Sequence, residues 1–162
     1  MNIFFLDSDP KKCAEQHCDK HVVKMILESA QLLSTAHHVL CESADYDYLP
    51  KDIYKPTHKN HPSAIWARTT DGNYNWLYVL WRELMSEYKY RYMKTHACER
   101  LIKPLGWLPS NIERGPFTPP PKAMPDEYKV EDTIQSYKNY YNGAKASFAK
   151  WTGRNAPEWF NA

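Results

Sequence analysis

The sequence predicts a mainly α fold: a single compact helical domain over residues 1–162, with a short N-terminal extended arm and a Pro-rich strap before the C-terminal helix. Three observations carry this. Apolar residues recur at three- and four-residue spacing over long stretches, the pattern of amphipathic helices. Seven of the 12 prolines lie between Pro104 and Pro125. The 37 residues after them are too few to fold alone, which makes the stretch a polyproline-like strap rather than a domain boundary. Finally, 162 residues are enough to bury one sizeable core.

Asn2 to Leu6 reads as a short strand or extended arm. Asp9 followed by Pro10 is a helix start, with a capping carboxylate and proline at the first helical position. A long helix, interruptible near Cys18-Asp19, then runs to about Leu40. Glu42 to Asn60 is polar, holds Pro50 and Pro56, and reads as a loop. His61-Pro62 opens a shorter helix through about Arg68. Asp71 can cap a third, in which Trp76, Leu77, Leu80, Trp81, Leu84 and Tyr88 recur at helical spacing into about His96. A short helical piece covers Ala97 to Ile102. Asp132 or Thr133 caps a last helix carrying Ile134, Tyr137, Tyr141, Ala144 and Phe148, and a tail with Trp151 and Trp159 is expected to pack back on the body.

Composition bounds the function. A net charge of +2 and a pI near 8.3 permit a nucleic-acid or nucleotide partner without demanding one. The 12 Tyr and 6 Trp suit a ring-rich core or a surface that stacks on bases. Cys13, Cys18, Cys41 and Cys98 make no CxxC pair. The apolar start is stopped by Asp7 without the basic region of a secretory signal, and no stretch reaches the length of a membrane span. The expectation is a soluble cytoplasmic protein with reduced thiols, no membrane partner, no cofactor and no metal.

The sharpest functional signal is a stripe on the first long helix: His17, His21, Lys24, Glu28, Gln31, Thr35 and His38. Their alternating spacing of about four and three residues sets them on one helix face. A solvated face would carry mainly Lys and Glu. This one mixes imidazole, ammonium, carboxylate, amide and hydroxyl, which suits proton handling or anion binding, so it is expected to face a cleft. The plain alternative is a wet surface with a Lys24–Glu28 pair. A second concentration is His58, Lys59, Asn60 and His61 before a helix start, followed by Trp66 and Arg68, a setting fit to hold an anion beside a ring. Asn73 and Trp76 open the next helix and join this candidate pocket. His17 and His21 also form an HxxxH pair, a weak metal signal without the glutamate and third ligand of a zinc site. Tyr137 and Tyr141 are expected to face the core, leaving Lys138 and Tyr140 for the surface.

Ala14-Glu15-Gln16-His17 and Pro62-Ser63-Ala64-Ile65, together with the order of elements, make roughly the first two thirds of the chain resemble the pyrimidine-dimer DNA glycosylases of bacteriophages. Those are small helical proteins with an extended N-terminus, a first helix carrying a histidine and a glutamate two turns apart, a central helix pair and an aromatic tail. His21 and Glu28 have that seven-residue spacing. The resemblance implies attack on the sugar C1′ by the free amine of the N-terminal residue, giving an imine that leads on to strand cleavage. Two features depart from the family. Methionine is removed before small residues and Asn2 is not small, so Met1 is expected to stay. The arginines of the family's first helix are missing, leaving Lys20 and Lys24 as the bases inside it.

The function expected is a phage-type glycosylase that cleaves the N-glycosidic bond of nucleic acid or a nucleotide. His21 would manage a proton, Glu28 would stabilise the oxocarbenium-like sugar or activate the attacking group, Lys24 and Arg68 would hold phosphate, and Trp66, Trp76 or a Tyr would stack on the base. His17, Gln31, His38, His58, Asn60, His61 and Asn73 would line the pocket. One alternative is a non-catalytic protein that sequesters a small nucleotide signal there; another is a metal-assisted hydrolase using His17 and His21. A continuous basic surface would favour DNA, and a closed basic pocket a free nucleotide.

Overall fold

In the computed structural model, which describes residues 1–41 and 49–162, the first helix starts where the Asp9–Pro10 pair sets it. The Asp9 carboxylate accepts the Lys11 N–H at 2.9 Å, and Pro10, which has no N–H to lose, occupies the first turn of α1 (Pro10–Gln16). Two extended residues, His17 and Cys18, break the chain before α2 (Asp19–Leu40). The predicted long helix is thus two helices, and His17 belongs to the joint between them. Its Nδ1 returns to the Cys13 carbonyl at 2.7 Å, which serves the unpaired end of α1.

The α3 helix (Pro62–Ala67) is capped by His61, whose Nδ1 accepts the Ser63 N–H at 3.1 Å. The α4 helix (Asp71–Tyr92) is capped by Thr70 rather than Asp71; the Asp71 carboxylate instead accepts the Gly115 N–H. It stops four residues short of His96, at the left-handed Met93. A 3-10 turn (Ala97–Leu101) leads into α5 (Ile102–Leu105), and a second turn (Asp126–Tyr128) precedes α6 (Thr133–Asn142). That helix ends at Gly143, before Ala144 and Phe148.

The protein is a compact, mainly α structure with no strand among the described residues. Helices α1 and α2 pack on α4, and α3 packs on α2. The seam is apolar: Val22, Ile26, Ala30 and Leu33 meet Leu77, Leu80, Trp81 and Leu84, all at most 1% exposed. The Trp81 indole N–H is satisfied by the Ile26 carbonyl at 3.0 Å, so a large ring is buried without an orphaned donor. Ile3 to Leu6 form the extended arm, and all four side chains are buried.

The strap is fastened by side chains from α3 and α4. Asn73 accepts the Thr118 N–H at 2.8 Å, Trp66 donates to the Thr118 carbonyl at 2.9 Å, and Trp76 stacks on Phe117. The tail returns as expected: Trp151 and Trp159 donate to the backbone and side chain of Gln16. Beside them lies a polar clamp. Arg91, with its side chain fully buried, bonds Glu87, Asp19 and the Glu15 carbonyl, while Glu87 also receives Arg154 from the tail. No helix of the described chain is long and apolar enough to cross a membrane.

Candidate functional site

The polar stripe lies along the border of α2, and three neighbours divide it. Its first part is covered. His21 is stacked on Phe4 of the arm, with ring centroids 3.9 Å apart, and its Nδ1 sits 2.6 Å from the Tyr141 hydroxyl. Burial, then the charges of His17, Lys145, Lys24 and Lys20, hold this imidazole down to about 2. His17 is wholly buried, and burial lowers it to about 4. The last part is covered too. Thr35 exchanges bonds with the Thr57 backbone, and His38 Nε2 meets the Tyr54 carbonyl at 3.0 Å.

The middle is open among the described residues. Lys24 is exposed, Glu28 and Gln31 are half-buried, and Lys24 Nζ lies 3.7 Å from Glu28 Oε1. The other carboxylate oxygen, Oε2, accepts the backbone N–H of Asn2 at 3.3 Å. Burial lowers the basicity of His61, and the Met1 ammonium and His58 lower it further, while Glu28 acts in the opposite sense. The start of the chain, Glu28 and the His58–His61 turn are therefore electrostatic neighbours. His61 spends Nδ1 as an acceptor at its helix cap, which fixes a neutral ring with the hydrogen on Nε2.

Several expected members lie elsewhere. His17 and His21 are core residues, because the arm and α6 cover that end of the stripe. The break at Cys18 also takes them off a common helix, and Nδ1 of each is engaged within the fold. Among the described residues, no group of three His, Cys, Asp or Glu side chains gathers as metal ligands. Trp66, Asn73 and Trp76 form the seat of the strap rather than an open stacking platform. Arg68, at the far end of α3 from His61, has its Nη1 buried without a partner, and burial lowers its basicity. His58 and Asn60 are exposed; His58 adopts a left-handed backbone and sits on the Thr57 hydroxyl.

Asn2, expected only to keep Met1 in place, and Ala123 stand outside the expected site residues. The Asn2 side-chain amide donates to the Ala123 carbonyl at 2.9 Å, 121 positions along the chain. No local spacing signals a contact made by the strap's return to the arm.

The surface beside the opening is basic and carries rings. Lys20 Nζ lies 4.6 Å from the Phe148 ring centroid, and Lys145 Nζ lies 4.7 Å from that of Tyr140. With Lys24 they crowd the corner over His21.

Residues 1–100 match the profile of the pyrimidine dimer DNA glycosylase family. No curated protein and no solved structure matches the chain. The family match takes in the arm, Glu28 and the His61 turn that meet at the opening, and it spans more than half of the 162 residues; the chain belongs to the pyrimidine dimer DNA glycosylase family.

Proposed function

We propose that the protein is a DNA glycosylase that removes a damaged pyrimidine from duplex DNA, with the amine at the head of the arm as nucleophile and Glu28 as its partner. The observation that carries this reading is the 3.3 Å contact between the Asn2 nitrogen and Glu28 Oε2. It holds the head of the arm against a carboxylate that can take the proton an attacking amine must lose. The same carboxylate stabilises the positive charge that develops at C1′. The amine's lone pair forms the bond to C1′ as the C1′–N bond to the base breaks and that electron pair leaves with the base. Loss of the remaining amine proton and opening of the sugar ring then give the imine. With Met1 in place, its amine is the nucleophile, and the Asn2 N–H on Glu28 aims it. The basic surface formed by Lys20, Lys24 and Lys145 favours a phosphate backbone over a free nucleotide.

Ultraviolet-irradiated duplex and an abasic-site duplex test this. The expected result is a broken C1′–N bond at the photoproduct, read as strand cleavage, and a covalent adduct on borohydride reduction that peptide mapping places on the N-terminal amine, with intact mass showing which residue bears it. Glu28→Gln keeps an acceptor for Asn2 and removes the charge. It should leave the melting midpoint nearly unchanged and slow cleavage at the photoproduct by roughly two orders of magnitude. Tight binding of a free nucleotide without any turnover would favour sequestration instead. An adduct on a lysine side chain would move the nucleophile away from the arm.

A further inference from the structure

Asn2 ties the head of the arm to the strap through the contacts around it. Its Oδ1 accepts the Ile3 N–H at 2.8 Å, and its amide nitrogen donates to Ala123 at 2.9 Å. Ala123 belongs to a tight turn of the strap, in which its own N–H reaches the Pro121 carbonyl. The Tyr137 hydroxyl, from α6, sits inside that turn. It lies 2.6 Å from the Pro121 carbonyl, 3.0 Å from Asn2 Oδ1 and 3.3 Å from the Ala123 nitrogen. Tyr137 is wholly buried, and burial raises its hydroxyl well above the ordinary tyrosine range, so it stays a donor. One hydrogen cannot serve both carbonyl groups at once. The shorter contact gives it to Pro121, which makes Tyr137 chiefly the pin of the turn. Behind Asn2 the four buried residues Ile3 to Leu6 leave the arm no slack.

We infer that Tyr137 and the Pro121–Ala123 turn form a positioning device that holds Asn2, and through it the head of the arm, on Glu28. The inference rests on the proposed glycosylase reading. It assigns a role in the reaction to residues outside the 1–100 family match. It also gives a reason for asparagine at position 2: a smaller residue there would reach neither the Ala123 carbonyl nor the Tyr137 hydroxyl. Tyr137 touches no reacting atom. It acts through the backbone it fixes, and displacing a reacting group by an ångström can cost about a hundredfold in rate.

Two variants test this on the full chain. Tyr137→Phe removes one oxygen and keeps the ring that fills the core. Asn2→Leu removes the anchor while retaining a residue large enough to keep Met1. Single-turnover borohydride trapping on an abasic-site duplex reads formation of the imine, and titration of the same duplex reads binding. Each variant should trap about ten- to a hundredfold more slowly, with affinity within about twofold and the melting midpoint down by a few degrees at most. The double variant should be little slower than the slower single one, because both changes cut the same chain of contacts. Unchanged trapping in Tyr137→Phe, equal losses of rate and binding, or rates that multiply in the double variant would overturn the inference while the glycosylase reading stood. Absence of any adduct with the unaltered protein would overturn both.

Discussion

Among the histidines, position in the fold decides chemistry more than residue type does. His17 and His37 are held down to about 4 and His21 to about 2, against an ordinary value of 6.5, in each case mainly by burial. The unfolded chain takes up these protons as pH falls through 6.5, while the folded chain refuses them until much lower. The unfolded state therefore binds more protons across that window, and stability falls as pH falls. The contribution is complete above about pH 6.5, is lost progressively toward pH 4, and for His21 continues to decline below that. The melting midpoint should fall between about pH 7 and pH 4. His21→Gln, which keeps a partner for the Tyr141 hydroxyl, should lower the slope by up to about 1.4 kcal/mol per pH unit over that range. An unchanged slope would assign the pH dependence to other groups. His61, which has no special spacing relative to Glu28 in the sequence, is an electrostatic neighbour of Glu28 and of the start of the chain.

At the scale of elements, capping and closeness of approach place the site. His61 caps α3, and that cap fixes its ring beside the arm. Thr70 caps α4, where the next turn must let the strap pass. A Cβ on Gly72 would stand 2.6 Å from the Phe117 nitrogen and 2.7 Å from the Gly115 oxygen, both backbone atoms. Gly72→Ala should therefore lift the strap despite alanine's better helix propensity, at a cost of about 1–3 kcal/mol in denaturant unfolding. Displacement of the strap should also loosen the Pro121–Ala123 turn. A stabilised variant would show that the strap's position is not set at Gly72. The stripe on α2 was legible as a set of residues, because helical spacing depends only on the chain itself. Its division into covered ends and an open middle was not, because the arm, α6 and the 53–58 segment supply the covers from distant parts of the sequence.

Across the whole molecule, the clamp around Glu87 joins four pieces: α4, α1 through Glu15, α2 through Asp19, and the tail through Arg154. Glu87 is 4% exposed and lies against two guanidinium groups. Glu87→Ala leaves a buried Arg91 short of its nearest carboxylate, and should cost about 3–5 kcal/mol in chemical unfolding. A loss under about 1 kcal/mol would mean that solvent enters to replace it. Composition and periodicity by themselves determined that the protein is helical, where most helices begin, that the Pro-rich stretch straps the body and that the tail packs back on it. These follow from short-range geometry, from capping chemistry and from the area a chain of this length must bury. Together with the resemblance they also carried the family and singled out Glu28. Only the tertiary structure decided which polar residues meet. It sent His17 and His21 into the core, made Trp66, Asn73 and Trp76 a seat for the strap, and brought Asn2, Glu28, His61 and Ala123 together. The physical reason is that burial and electrostatic proximity depend on which distant segments cover a helix face, and the helix's own residues carry no record of that.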